Sequence, residues 1–119
     1  MSITIYHNPR CSKSRKTLEI LEQSGISPTI VEYLDAPPTA AATLRHAELI
    51  GVRVAELLRR GEDEFKQATD LPDLEDDAAL AKWLEAHPKV IERPIVVDEE
   101  NDRAVIGRPP ENVLGLINQ

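Results

Sequence analysis

The chain has 119 residues, enough for a single domain, 1–119, whose core needs no disulfide or metal to hold it. Its formal charge is −7 and aromatic residues make up only 3%, which argues against nucleic acid and anionic lipid as partners and leaves no aromatic platform for single strands. A single cysteine excludes an internal disulfide; with no signal segment and no bilayer-length apolar run, the chain is expected to be cytoplasmic and reduced, with no membrane contact.

Ile3-Thr4-Ile5-Tyr6 predicts a first strand. The stretch from His7 to Lys16 follows, holding Cys11 together with Arg10, Lys13, Arg15 and Lys16 and no acid. Thr17 to Gln23, with Leu18 and Leu21 on one face, predicts a helix, so Cys11 falls where a strand hands over to a helix N-terminus. Ser24-Gly25 stops that helix, and Ser27-Pro28 turns the chain into a second β-branched run, Thr29 to Tyr33. Strand, helix, strand makes a βαβ unit with parallel strands, and the Cys11 loop then lies at the edge where open α/β sheets bind ligands.

From Pro37 to His87 the pattern is helical and reads as an insertion. Ala40 to Ile50 is one helix, with Thr39 as its cap and Gly51 as its end. Val54 to Arg60 is a second, closed by Gly61, and a third starts at Glu62 with Phe65 and Ala68 facing inward. Ala78 to Ala86 repeats Leu80, Trp83 and Leu84 at helical spacing, and Trp83 is expected in the core. Val90 to Asp98 returns to β character, Glu99 to Asp102 is a turn, and Arg103 to Ile106 pairs back as a hairpin. Gly107-Arg108-Pro109-Pro110 ends that strand, and Glu111 to Ile117 closes the chain as a helix with Val113, Leu114 and Ile117 inward.

The chemistry centres on Cys11. Most cysteines are small buried hydrophobes without chemistry, but this one has polar or charged neighbours on both sides and a turn residue, Pro9, two positions before it. Free N–H groups and the positive end of a helix dipole favour an anion, whether a thiolate or an oxyanion beside it. No second cysteine follows in Cys11-Ser12-Lys13-Ser14, so any disulfide forms with a thiol from another molecule, which points to glutathione or a glutaredoxin. Ser14 either donates to the thiolate or only caps the helix. Arg59, Arg93 and Arg108 each stand at a segment end or beside a turn, either solvated or, if gathered near Cys11, as guanidinium forks for a tetrahedral oxyanion.

The order βαβ, helices, ββα is that of an α/β thioredoxin-like fold carrying a helical insertion over about 37–87. Such a fold places a cis-proline at the start of the third strand, here Pro94, where a trans-proline is the ordinary alternative. His7-Asn8-Pro9-Arg10-Cys11-Ser12-Lys13-Ser14-Arg15-Lys16-Thr17-Leu18, Glu92-Arg93-Pro94-Ile95-Val96 and Gly107-Arg108-Pro109-Pro110-Glu111 resemble the motifs of the glutaredoxin-coupled arsenate reductases, nearly end to end. The resemblance implies that Cys11 forms an adduct with arsenate or a similar oxyanion, with His7 assisting its ionisation; the imidazole could otherwise simply cap backbone at the strand end. It further implies that Arg59, Arg93 and Arg108 hold the oxyanion, while Ser14 as a donor and Arg15 by its charge are expected to steady the thiolate. Glutathione as co-substrate and glutaredoxin as partner then complete the reduction, with no metal and no bound cofactor. The best-known members have Gly-Thr where this chain has Ser12-Lys13. Spx-like transcription adaptors, which bind RNA polymerase, and glutathione-dependent thiol reductases without an arsenic role share parts of the pattern.

Overall fold

The computed structural model describes residues 2–117. The chain divides into two compact units, one formed by the residues up to Tyr33 and from Arg93 onward, the other by Leu34–Glu92.

The first unit is a four-stranded sheet with two helices. Strand β1 (Ile3–His7) leads to helix α1 (Ser12–Gln23) and strand β2 (Thr29–Glu32), and later strands β3 (Ile95–Asp98) and β4 (Arg103–Ile106) precede helix α5 (Asn112–Ile117). The sheet order is β2-β1-β3-β4, with β1 parallel to β2 and antiparallel to β3, and β3 antiparallel to β4. This is the thioredoxin-like arrangement, and the Arg93–Pro94 bond is cis, as expected from the sequence. The Arg108–Pro109 bond is cis as well, which the sequence did not signal.

Period-2 alternation sends Ile3, Ile5 and His7 of β1 to one face. There the two isoleucines meet Leu21, Val96, Val113 and Leu116 in the core. The buried stripe of α1 is Ser14, Thr17 and Leu21, so its C-terminal part is apolar and packs in that core, while its first turns are polar. This gradient carries the fold over into the site: the same helix face that anchors the unit ends in hydroxyls beside His7. Gly25, at φ 81°, ends the helix in the left-handed conformation that glycine adopts without strain.

The second unit is helical: α2 (Ala40–Ile50), a 3-10 turn at Val54–Leu57, the single turn α3 (Asp63–Lys66), α4 (Asp77–Ala86) and a 3-10 turn at Pro88–Val90. Thr39 caps α2 by accepting from Ala42 N–H at 3.1 Å, and Gly51 ends it at φ 88°. Leu80, Ala81, Trp83 and Leu84 of α4 are buried with Ala47, Val54 and Leu57. Trp83 is in this core as expected, and its indole N–H still finds a partner, Asp70 Oδ1, at 3.0 Å.

Three sequence expectations need correction. The helical segment over Val54 to Arg60 is only one 3-10 turn, because Leu58 is extended and bridges Ile91, while Arg59 N–H donates to Val90 O at 2.6 Å and Glu92 N–H to Leu57 O at 2.7 Å. For the same reason Val90 to Asp98 is not one strand: residues 90–92 pair within the helical unit, and β3 begins at Ile95, after a proline that has no N–H for a ladder. In α5 Val113 and Leu116 are buried and Ile117 packs partly buried against the same core, but Leu114 is 37% exposed, since the face at i, i+3 and i+4 from Val113 takes in Leu116 and Ile117 and leaves Leu114 beside it. Among the described residues no helix is long and apolar enough to cross a membrane, and no group of three His, Cys, Asp or Glu is placed to hold a metal ion.

Candidate functional site

The chain between β1 and α1 is shaped by Asn8, a residue whose side chain readily replaces a backbone turn partner. Asn8 is buried; its Oδ1 accepts from Arg10 N–H at 3.0 Å and its carbonyl accepts from Cys11 N–H at 3.0 Å. These two bonds fold residues 8–11 into a tight turn and deliver Cys11, in extended conformation, to the N-cap of α1. The cysteine side chain closes no ordinary cap bond. The N–H groups of Lys13 and Ser14, at the second and third helical positions where a cap would accept, face the sulfur instead.

The electrostatics follow from that placement. Partial burial pushes the Cys11 thiol up, but the Ser14 N–H, the Arg93 guanidinium and the Lys13 N–H outweigh it, so the thiol lies below its ordinary range. A thiol is a weak acceptor and a thiolate a strong one, so donors aimed at the sulfur favour ionisation.

Register explains how Arg93 and Arg108 come to the same place. Tyr6 pairs with Ile95 and Ile95 with Ile106, so one step beyond these pairs Pro94 and Gly107 are neighbours, joined by Gly107 N–H to Pro94 O at 2.8 Å. A further step brings Arg93 beside Arg108, whose Nη1 donates to Arg93 O at 3.4 Å. The approach needs a glycine: a Cβ on Gly107 would lie 2.7 Å from Thr17 Oγ1 and 2.8 Å from the Pro94 ring. Thr17 Oγ1 donates to Lys13 O at 2.8 Å, which ties the first turns of α1 to this contact. Burial works against the Arg93 charge, but Tyr33 and the Cys11 sulfur nearby favour it and its pKa is raised.

The remaining residues singled out by the sequence fall into different positions. His7 is buried and does not bond the sulfur; its Nδ1 shares a hydrogen bond of 2.6 Å with Ser14 Oγ, which also accepts from Asn8 N–H at 3.0 Å. Burial lowers the His7 pKa, opposed by Glu32 and assisted by Arg15, so the ring is neutral near neutral pH. A serine proton donated to the neutral ring, with Asn8 N–H donated to the serine, satisfies all three groups. Ser14 therefore turns its backbone N–H to the thiol and its hydroxyl to His7. Arg15 is exposed and donates to Pro9 O at 2.9 Å, bracing the turn. Arg59 belongs to the helical unit, where its Nε pairs with Glu62 at 3.4 Å while its buried Nη1 has no hydrogen-bond partner among the described residues.

Two contributors were given no part of their own at the site in the reading of the sequence, although both stand in the quoted motifs. Asn8 stands directly after a strand and before a proline, a recognisable turn signal. Gly107 was taken only as a strand end, although it precedes the segment that must approach α1.

The ArsC family model matches residues 6–116. The chain is 42% identical to an arsenate reductase of Haemophilus influenzae over 118 residues, covering 98% of this chain and 100% of that protein. It is 43% identical to the uncharacterized protein YfgD of Escherichia coli over 116 residues, covering 97% of this chain and 96% of that one. The solved structure of an arsenate reductase from Vibrio cholerae superposes with a TM-score of 0.86 at 41% identity, over 98% of each chain. With a matching family model over nearly its whole length and full-length relatives at this identity, the chain belongs to the ArsC family.

Proposed function

We propose that the protein reduces arsenate to arsenite with electrons from glutathione and glutaredoxin, using Cys11 as the nucleophile. The observation that carries this reading is the sulfur at the start of α1, faced by the N–H groups of Ser14 and Lys13 and by the Arg93 guanidinium, in a chain of the ArsC family. The Cys11 thiolate attacks arsenic(V), forming an S–As bond as one arsenate oxygen is protonated and leaves as water. Glutathione joins the adduct through its sulfur and a second oxygen leaves. The glutaredoxin thiol then takes the glutathione sulfur and leaves the electron pair of the S–As bond on arsenic; water cleaves the remaining bond between Cys11 and arsenic(III), returning the Cys11 thiol, and the products are arsenite and a mixed disulfide of glutathione and glutaredoxin. Two thiol sulfurs are oxidised to one disulfide while arsenic falls from the pentavalent to the trivalent state.

Each residue has a part in this reading. Ser14 stabilises the thiolate through its N–H, and its hydroxyl links His7 to the loop, so His7 is a positioning residue that acts through Ser14. Arg15 holds the Pro9 carbonyl and with it the turn that presents Cys11. Arg93 and Arg108 supply guanidinium donors that neutralise charge on the oxyanion and its leaving oxygen. Arg59 completes the set by the likeness of Leu57-Leu58-Arg59 to the family motif, supported by a buried guanidinium nitrogen whose hydrogen-bonding capacity the helical unit does not use. No resident cofactor takes part, and the dependence on glutathione fits a reducing, cytoplasmic setting.

A coupled assay with glutathione, glutaredoxin, its reductase and NADPH tests the proposal. Arsenate-dependent NADPH oxidation is expected from the wild type, and C11S, R93Q, R108Q and R59Q should each lower it. Turnover on mixed disulfides without any response to arsenate would instead identify a thiol reductase.

A further inference from the structure

Gly107 and Pro94 face each other one step beyond the last pair of the β3–β4 ladder, and Gly107 N–H donates to Pro94 O at 2.8 Å. A hydrogen-bonded antiparallel pair exchanges two such bonds, and the second would run from the N–H of residue 94 to Gly107 O. Proline has no N–H, so the ladder leaves the carbonyl of a buried residue without its donor. The donor comes from another element. Among the described residues Gly107 O accepts from Thr17 Oγ1 alone, at 3.4 Å, and Thr17 is itself fully buried in α1. The same hydroxyl donates to Lys13 O at 2.8 Å, the shorter arm, so it stands between the first turns of α1 and the residue before Arg108. The missing side chain of Gly107 admits this contact, since a Cβ there would lie 2.7 Å from the same oxygen.

We propose that Thr17 is a positioning residue for Arg108: its hydroxyl supplies the donor that Pro94 lacks and fixes the Gly107 carbonyl against the helix that begins at Cys11. The path of the chain into Arg108 is thereby set from the thiol's own helix rather than from the end of a two-stranded ladder. The inference rests on the reading of Arg108 as a donor to an oxyanion at Cys11, and not on arsenate being reduced there. Without the hydroxyl the buried carbonyl is unpaired, the loop shifts to reach another donor, and the Arg108 guanidinium is no longer held where the anion sits.

Protection of Cys11 from iodoacetamide by arsenate, and in parallel by sulfate, reads this on the full chain at fixed pH and ionic strength, with thermal melts confirming that each variant is folded. T17V keeps the shape and loses the hydroxyl, so the half-protecting anion concentration should rise about fivefold, the size of one ordinary hydrogen bond. T17S keeps the hydroxyl and should protect as the wild type does, and the T17V/R108Q double variant should match R108Q alone. The pH midpoint of alkylation without anion should stay at its wild-type value in T17V. If T17V does not fold, T17A against T17S isolates the same hydroxyl. Wild-type protection in T17V, equal weakening in T17S, a moved midpoint, the same T17V increment without Arg108, or no protection of the wild type by either anion would each overturn the proposal. Absence of arsenate turnover with this pattern of protection intact would remove the reductase reading and support the Thr17 assignment.

Discussion

Among the described residues, three helices of ten residues or more begin in two different ways. Helices α2 and α4 open with Thr39 and Asp76, whose side chains accept from Ala42 and Ala79 N–H at 3.1 Å. Helix α1 opens with Cys11, which closes no cap bond, and its first N–H groups face the sulfur. The first two starts are complete in themselves and serve the fold. The third is complete only when the sulfur is ionised or an anion is supplied, so its donors are left available for chemistry. The same contrast separates the buried histidines. His7 is tied by Ser14 into the turn that presents the thiol, whereas His46 of α2 lies in the helical unit, and burial, with Arg45, lowers its pKa to about 4.

Replacing Cys11 breaks the contrast most completely. C11S should abolish arsenate-dependent turnover, a loss of at least about a thousandfold as expected for removal of a covalent nucleophile. Serine is a strong helix cap, so the same variant should keep its stability within about 1 kcal/mol of wild type in urea denaturation. A C11S protein that unfolds would mean that the α1 start serves the fold after all.

The His46 environment predicts the next largest effect. Its folded pKa lies below its unfolded value, so the unfolded state takes up a proton first as the solution is acidified. The contribution of His46 is fully present above pH 6.5 and lost as the pH falls toward about 4, with an upper limit of about 3 kcal/mol. Stability measured by urea denaturation between pH 7 and 4 should fall along that window, and H46Q should flatten the curve. An unchanged slope in H46Q would assign the acid sensitivity elsewhere.

Gly107 tests the fit behind the Cys11 turn. G107A drives a methyl group against Thr17 and Pro94 and should cost about 2 kcal/mol, with alkylation of Cys11 altered because the first turns of α1 must shift. Smallest are the two ordinary helix starts. T39A and D76A should each lower stability by about 1 kcal/mol and leave both turnover and the Cys11 alkylation profile unchanged. A change of that profile in either variant would blur the distinction between starts that serve the fold and the one that serves chemistry.

Much of this was legible along the chain because it is local. The β1–α1 junction, the caps at Thr39 and Gly51, and the hairpin from Ile95 to Ile106 each follow from residues within a few positions of one another, and so did Cys11 at a helix start. The extent of the segments at residues 54–60 and 90–98 was not legible, because their backbone groups are claimed by each other rather than by continuing helix or strand. The partners of His7 and Arg93 were hidden for a related reason. His7 meets Ser14 because strand alternation and helix phase happen to coincide on one face. Arg93 and Arg108 meet because two antiparallel registers extend one step past the strands.

The sequence by itself determined the order of elements, the helix starts and ends, and the charge and residue types around a single sulfur, since these depend on hydrophobic periodicity, turn chemistry and capping between near neighbours. Only the tertiary structure decided that Ser14 presents its N–H rather than its hydroxyl to that sulfur, that Arg93 comes to the same sulfur, and that Gly107 must lack a side chain. Each of those depends on groups from distant positions competing for the same donor or the same space, and that competition exists only once the sheet register has brought them within contact distance.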